Sequence, residues 1–338
     1  MTASGKVRWG ILSTSKFAQR EVIPAIQQSE RGEVTAIASR DPAKGRQCAE
    51  RFGIGRVYGS YEDLLADPEI EAVYNPLPNS LHEEWSVKAA EAGKHVMCEK
   101  PFAMDASGAM RMEAAFATAG RIVREGFMIR FHPQWQRAKA VVEEGRIGNP
   151  RAVQALFSYT NVDPGNIRNK PETGGGALYD IGCYGIVSAR YIFGEEPVRA
   201  ICLMDIDPAM KTDRMTTAIL DFPSGHGSFT CSTQMVPSQR VQILGTKGRI
   251  EIEIPYNAPA KRDCRIVIDD ASAAPSPDGA ATEALPAVNQ YVVQFDAFSR
   301  AVREGGDLEY PPSDAVANMK IIDALFRSAK SRCWETVG

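Results

Sequence analysis

Long hydrophobic runs are missing from this chain of 338 residues. None approaches the ~20 apolar residues that a bilayer span requires, so no membrane helix is expected. Residues 1–9 are polar with scattered charge and carry no apolar segment, so no secretory signal is expected either. Charge of one sign is also missing. Lys and Arg total 39 against 42 Asp and Glu, a net charge of −3. General polyanion binding rests on many phosphate-neutralising cations, which excludes nucleic acid as a partner and leaves a single small phosphate-bearing ligand. Histidine is scarce, and the seven cysteines form no C-x-x-C pair. Ser86 stands where the pair His82-Glu83 would need a second histidine to make H-E-x-x-H. No metal is expected. Cys48, Cys98, Cys183, Cys202, Cys231, Cys264 and Cys333 read as thiols in a reducing cytosol, which points to a cytoplasmic protein.

What is present is ordinary for a globular protein: 44% hydrophobic and 24% charged residues, enough for a sizeable core. The length suggests two domains. Apolar runs at 7–12, 34–38, 72–75, 95–98 and 122–125 alternate with helical spacing at 17–28, 42–52 and 81–92, and a short helix precedes Asp67-Pro68. Alternating strands and helices make right-handed β-α-β units and a parallel sheet. Residues 1–127 therefore read as a doubly wound nucleotide-binding domain. The pattern then changes. Helices at 133–144 and 178–193 flank a strand at 151–160 and a polar loop at 161–176. Strands follow at 198–205, 216–222, 227–234, 241–244 and 249–254, with turn clusters between them. Residues 271–281 read as an Ala/Ser/Pro/Gly-rich loop, and helices at 289–304 and 313–332 close the chain. Residues 128–338 thus read as an α+β domain with an open, mostly antiparallel sheet, and the fold class as α/β.

The first strand runs into Gly10-Ile-Leu-Ser13-Thr14-Ser15-Lys16-Phe17-Ala18. A dinucleotide loop, G-x-G-x-x-G/A, uses glycine for a tight turn and close pyrophosphate approach. Ser13 and Ser15 occupy two of those glycine positions. Serine serves there if its φ stays negative, and its hydroxyl then donates to a phosphate oxygen. The same serines would also serve as helix caps. The second strand ends in Ser39-Arg40-Asp41-Pro42, with Lys44 one turn on. An acid at the strand end would take the ribose 2′-OH; Ser39 and Arg40 stand there instead, which favours the 2′-phosphate of NADP. Asp41, before Pro42, reads as the cap of the second helix.

Glu99-Lys100-Pro101 ends a parallel strand, where open α/β sheets place their ligands. Its Lys-Pro bond is a candidate for cis, and in isolation its lysine reads equally as an ordinary surface residue. Gly174-Gly175-Gly176 precede Asp180 and Tyr184, which share one helix face. The glycines would let backbone approach a flat ring, or would simply make a flexible loop before an amphipathic helix. A phenol has pKa ~10. An ammonium ~4 Å away contributes about 4 kcal/mol at an effective dielectric of ~20, roughly three pKa units. A Lys100–Tyr184 pair would make the phenol an acid/base near neutrality, taking the hydroxyl proton as hydride leaves for nicotinamide C4. Asp180 would orient the lysine or bind a sugar hydroxyl.

Together, residues 10–18, Tyr74-Asn75-Pro76-Leu77-Pro78-Asn79 with His82, Glu99-Lys100-Pro101 and the 174–184 stretch resemble the glucose-fructose oxidoreductase / inositol dehydrogenase / rhizopine catabolism family over nearly the whole chain. The resemblance implies a Rossmann domain and an open-sheet domain that mediates oligomerisation, here a homodimer. It implies Lys100 as the catalytic lysine and Asp180 beside the substrate. Many inositol-dehydrogenase-like members carry His where this chain has Tyr184. Tyr184, the Ser-Thr-Ser loop and residues 166–169 look like the branch with glucose-fructose oxidoreductase, dihydrodiol dehydrogenase and NADP-dependent D-xylose dehydrogenases. The likeness further implies Asn75, Leu77, Pro78, Asn79, His82, Glu99 and Tyr291 at the cofactor, and Arg130, His132 and Arg168 at the sugar. The expected activity is NADP(H)-dependent oxidation of an aldose at C1, with or without coupled reduction of a second sugar by retained cofactor. The alternatives are a non-catalytic NADP sensor and a dihydrodiol or diketone reductase.

Overall fold

The computed structural model describes residues 5–270, 280–305 and 309–338. The chain forms two units, one running up to Met128 and including Tyr291–Met319, the other comprising Ile129–Gln290 and Lys320–Gly338.

The first unit is built on a parallel sheet of β1 (Val7–Leu12), β2 (Gly32–Ala38), β3 (Arg56–Tyr58), β4 (Ala72–Asn75), β5 (His95–Cys98) and β6 (Val123–Glu125), in the order β3-β2-β1-β4-β5-β6. This is the doubly wound order, which opens a ligand crevice at the carboxyl ends of the strands. Between the strands run α1 (Ile23–Gln28), α2 (Pro42–Phe52), α3 (Tyr61–Ala66), α4 (His82–Glu91) and α5 (Ala106–Ala119). A wide helical turn, Ala18–Val22, leads into α1. The sequence reading omitted α5. Its buried face is mostly Ala and Gly (Ala106, Gly108, Ala109, then Met112 and Phe116), so its apolar period is faint.

The second unit opens with α6 (Pro133–Glu143), β7 (Pro150–Thr160) and α7 (Cys183–Phe193). Then come β8 (Arg199–Ile206), β9 (Asp213–Phe222), β10 (Gly225–Ser232), β11 (Gln234–Gly245), β12 (Arg249–Ile252), β13 (Cys264–Asp269) and β14 (Ala281–Leu285). The chain closes with α8 (Gln290–Glu304), α9 (Pro312–Ser331) and β15 (Glu335–Thr336). The nine-stranded sheet has the order β14-β13-β12-β11-β7-β10-β9-β8-β15, antiparallel except where β7 runs parallel to β10. Ala200, Cys202, Ala218, Leu220, Phe229, Cys231, Val241 and Ile243 are buried on its covered face. The opposite face leaves Leu203 80% and Ile219 44% exposed. No described helix is long and apolar enough to cross a membrane. Of the loop read at 271–281, residues 271–279 lie outside the described residues.

One boundary differs from the expectation that everything after 127 belongs to the second domain: residues 291–319 join the first unit. The reason is packing. Phe295 and Phe298 of α8 are buried against Trp9 of β1, with ring centroids 5.0 and 5.3 Å apart, and the Trp9 indole N–H donates to Ser299 Oγ at 3.3 Å. Arg303 forks onto the Glu71 carboxylate with two 2.7 Å contacts.

Candidate active site

In the first unit the candidate residues gather at the carboxyl ends of β1, β2, β4 and β5. Ser13 to Ser15 form the turn after β1, and Lys16 and Phe17 begin the helix that follows. The Ser13 N–H donates to the Ala38 carbonyl of β2 at 2.9 Å, and Ser15 Oγ accepts from the Ala18 N–H at 3.1 Å. Ser13 has φ 93°, which overturns the expectation of a negative φ. The turn needs the glycine conformation at this position while its N–H stays bonded to β2. A non-glycine residue so held is strained by about 1–3 kcal/mol. Ser13→Gly should therefore raise stability by about 1 kcal/mol, the strain relieved less the chain entropy that glycine gives up on folding. A thermal melt checks this; a lower Tm would refute it.

At the end of β2, Ser39 is buried and Arg40 is exposed. Asp41 caps α2, accepting from the N–H groups of Ala43 and Lys44 at 3.1 and 3.2 Å. The Lys44 backbone and its ammonium, 3.3 Å away, hold the Asp41 carboxyl below the usual carboxylate range. The acid that follows Arg40 is thus committed to its own helix.

Two expected cofactor contacts prove to be framework. Asn75 and His82 are fully buried. The Asn75 amide donates to the His82 carbonyl and Ser86 Oγ, while its oxygen accepts from the Leu77 N–H. The His82 ring nitrogens lie 2.8 and 2.9 Å from the carbonyls of Pro101 and Leu77, and burial pushes the imidazole down to about 4. The neutral ring has one N–H and donates to one of these two carbonyls, and His82, packed between the 75–79 turn and the turn after β5, has no surface left for a ligand. Leu77 is buried, and Pro78 and Asn79 are half-buried. Glu99 and Lys100 are half-buried at the end of β5, and the Lys100–Pro101 bond is cis. Glu99 accepts from the Tyr74 hydroxyl at 2.7 Å. Tyr291 packs edge-on against Phe17 at 5.7 Å, and burial followed by the Glu99 charge pushes its phenol up.

The second unit carries Arg130, His132, Arg168, Asp180 and Tyr184. Asp180 lies in the helical turn Leu178–Gly182 that leads into α7. Its carboxylate accepts from the Arg168 guanidinium at 3.0 Å and from the Tyr159 hydroxyl at 2.5 Å. Both contacts come from its own unit. Tyr184 is 5% exposed, with its ring 5.7 Å from Phe157 and 5.1 Å from Tyr256. His132 is not the sugar contact expected. It is fully buried, its Nδ1 caps α6 by accepting from the Gln134 N–H at 3.2 Å, and its Nε2 lies 3.9 Å from Cys264 Sγ. Arg130 is buried as well. A side chain on Gly175 would stand 2.5 Å from the Arg168 carbonyl, so the chain itself comes close there.

Residues 7–127 match the family described as the oxidoreductase family with NAD-binding Rossmann fold, and residues 135–251 match the GFO/IDH/MocA C-terminal domain. The chain belongs to this oxidoreductase family. Among its relatives, an uncharacterized oxidoreductase of Rhizobium meliloti is 45% identical, over 98% of this chain and 99% of its own. A D-xylose 1-dehydrogenase (NADP(+)) of Haloferax volcanii is 35% identical, over 96% and 97%. The crystal structure of aldose-aldose oxidoreductase from Caulobacter crescentus, complexed with glycerol, superposes with a TM-score of 0.90 at 28% identity, over 98% of this chain and 100% of that one. The family places an NAD(P)-binding function on the first unit.

Tyr159 was not foreseen. Strand alternation does put it on the same face as Phe157. That this face meets the Asp180 turn follows only from the packing of α7 on β7.

Proposed function

We propose that the protein is an NADP(H)-dependent sugar oxidoreductase that moves hydride between an aldose C1 and nicotinamide C4. The observation that carries the sugar reading is the Arg168–Asp180–Tyr159 cluster within one helical turn of Tyr184. Such a set of charged and hydroxyl groups suits a polyhydroxylated substrate better than an apolar diol or diketone, which favours a sugar over a dihydrodiol. The end of β2 fits NADP: Arg40 and Lys44 are exposed donors, and Asp41 is occupied as a cap. Ser13, Thr14, Ser15, Lys16 and Phe17 would hold the pyrophosphate, with Ser39, Arg40 and Lys44 at the 2′-phosphate. Leu77, Pro78, Asn79, Glu99 and Tyr291 would border the nicotinamide. Bound NADP supplies the hydride acceptor or donor.

On the protein side, Lys100 holds positive charge beside the reacting hydroxyl and Tyr184 takes its proton. Asp180 and Arg168 bind sugar hydroxyls. A variant of the reading is an aldose–aldose oxidoreductase that keeps its cofactor between turnovers. The Leu203 and Ile219 face of the second sheet is proposed as a homodimer interface, to be read by light scattering. The free thiols suit a cytoplasmic location.

A panel of aldoses with NADP⁺ and NAD⁺, followed by absorbance and product analysis, tests the function. Lactone and NADPH are expected, with NADP preferred. Cofactor that survives desalting, with lactone and alditol formed without added NADP, selects the coupled variant. Tight NADP binding with no hydride transfer to or from any sugar would refute the enzyme reading in favour of a sensor.

A further inference from the structure

We propose that Asp213 is a positioning residue for the Asp180–Tyr184 helix, holding the start of that helix at the depth and rotation its two site residues need. The proposal rests on the reading of Asp180 and Tyr184 given above. Asp213 is the first residue of β9, 33 positions after Asp180, and only 3% exposed. Its Oδ2 accepts from the Leu178 N–H and from the Thr216 hydroxyl, each at 2.8 Å. On the other side, Oδ1 stands 2.0 Å from the place a Cβ on residue 176 would occupy, and Gly176 has φ 120°. The Gly176 carbonyl in turn accepts from the Asp180 N–H at 3.0 Å. Residues 176 and 178, at the entry to the helix, are therefore both fitted to one carboxyl group.

This accounts for glycine at position 176. Any side chain there would collide with the Asp213 carboxylate and would also be strained at that φ. Asp213 is kept despite its cost: burial pushes its carboxyl up to about 7, while Thr216 and the backbone N–H groups pull it down. A simple helix cap contributes to stability alone. A cap at the root of a helix that carries an acid/base group also sets where that group stands, and a misplacement near 1 Å costs a rate on the order of 10²-fold.

The test uses the full-length protein with D213A, D213N and G176A, assayed well below their melting temperatures. D213A and G176A are expected to lower kcat about 10–100-fold. The sugar KM should move less than about threefold, and the NADP dissociation constant should stay unchanged, because the cofactor residues lie on the other unit. D213N, whose amide oxygen still accepts from Leu178, should recover most of the loss. Hydrogen exchange provides an arm independent of turnover: amides of 177–184 should exchange at least about tenfold faster in D213A, with the sheet amides unchanged. If D213A does not fold, G176A and D213N carry both readouts. A lower Tm with unchanged kcat would overturn the proposal, as would unaltered exchange at 177–184. If the wild type transfers no hydride with any sugar, the functional reading fails, and the exchange result alone decides for or against Asp213.

Discussion

Tyr184→Phe should lower kcat by about 10²–10⁴-fold, the usual contribution of a positioned acid/base group and equivalent to about 3–5 kcal/mol of barrier. The variant isolates the hydroxyl. Phe keeps the ring that packs against Phe157 and Tyr256. The backbone carbonyl of residue 184 still accepts from Ser188 Oγ, so the helix keeps that tie. NADP affinity should be unchanged within about twofold, since the loop after β1 and the end of β2 lie on the first unit. Steady-state kinetics with the best sugar, together with cofactor titration by fluorescence, reads both quantities. Wild-type turnover in the variant would remove Tyr184 from the chemistry.

The largest stability effect is expected at Phe295→Ala. Phe295 is 1% exposed, edge-on to Trp9 at 5.0 Å and to Tyr74 at 5.7 Å. Removing a fully buried aromatic ring costs about 3–5 kcal/mol through lost burial and the cavity left behind. For a unit of this size, Tm should fall by about 10 °C. The change tests whether α8 is integral to the first unit. A shift below about 2 °C would place α8 outside that core. The same packing means that a fragment ending at 127 would lack Phe295 and Phe298 over Trp9.

Where local chemistry is strong, the elements were legible residue by residue. α2 has Asp41 as cap and Pro42 at its first position, and its span matches the reading from periodicity. β4 and β5 are short apolar runs bounded by Asn-Pro and Glu-Lys-Pro, and they too fall where expected. Elements with a weak period were lost. Besides α5, β3 is only three residues long and mostly exposed, and β14 is an edge strand without a β-branched run. β13 does alternate, but it was not separated from its surroundings.

The candidate site divides in the same way. Residue type at a strand end or a helix turn was enough to single out Lys100, Arg40, Asp180 and Tyr184 as candidates, because those positions follow from local order in a doubly wound sheet and from the period of one helix. Burial and partner choice were not available from local order. His82, Asn75 and His132 carry the same groups a ligand contact would, yet they are fully buried on backbone partners. Tyr159 and Asp213 reach the Asp180 helix from strands 21 and 33 residues away. Alternation, caps and turn chemistry act within a few residues of chain, and they determined the two-unit plan and the turn after β1. Which buried polar group meets which, and which unit claims α8, depends on contacts between distant segments, and only the tertiary packing could decide them.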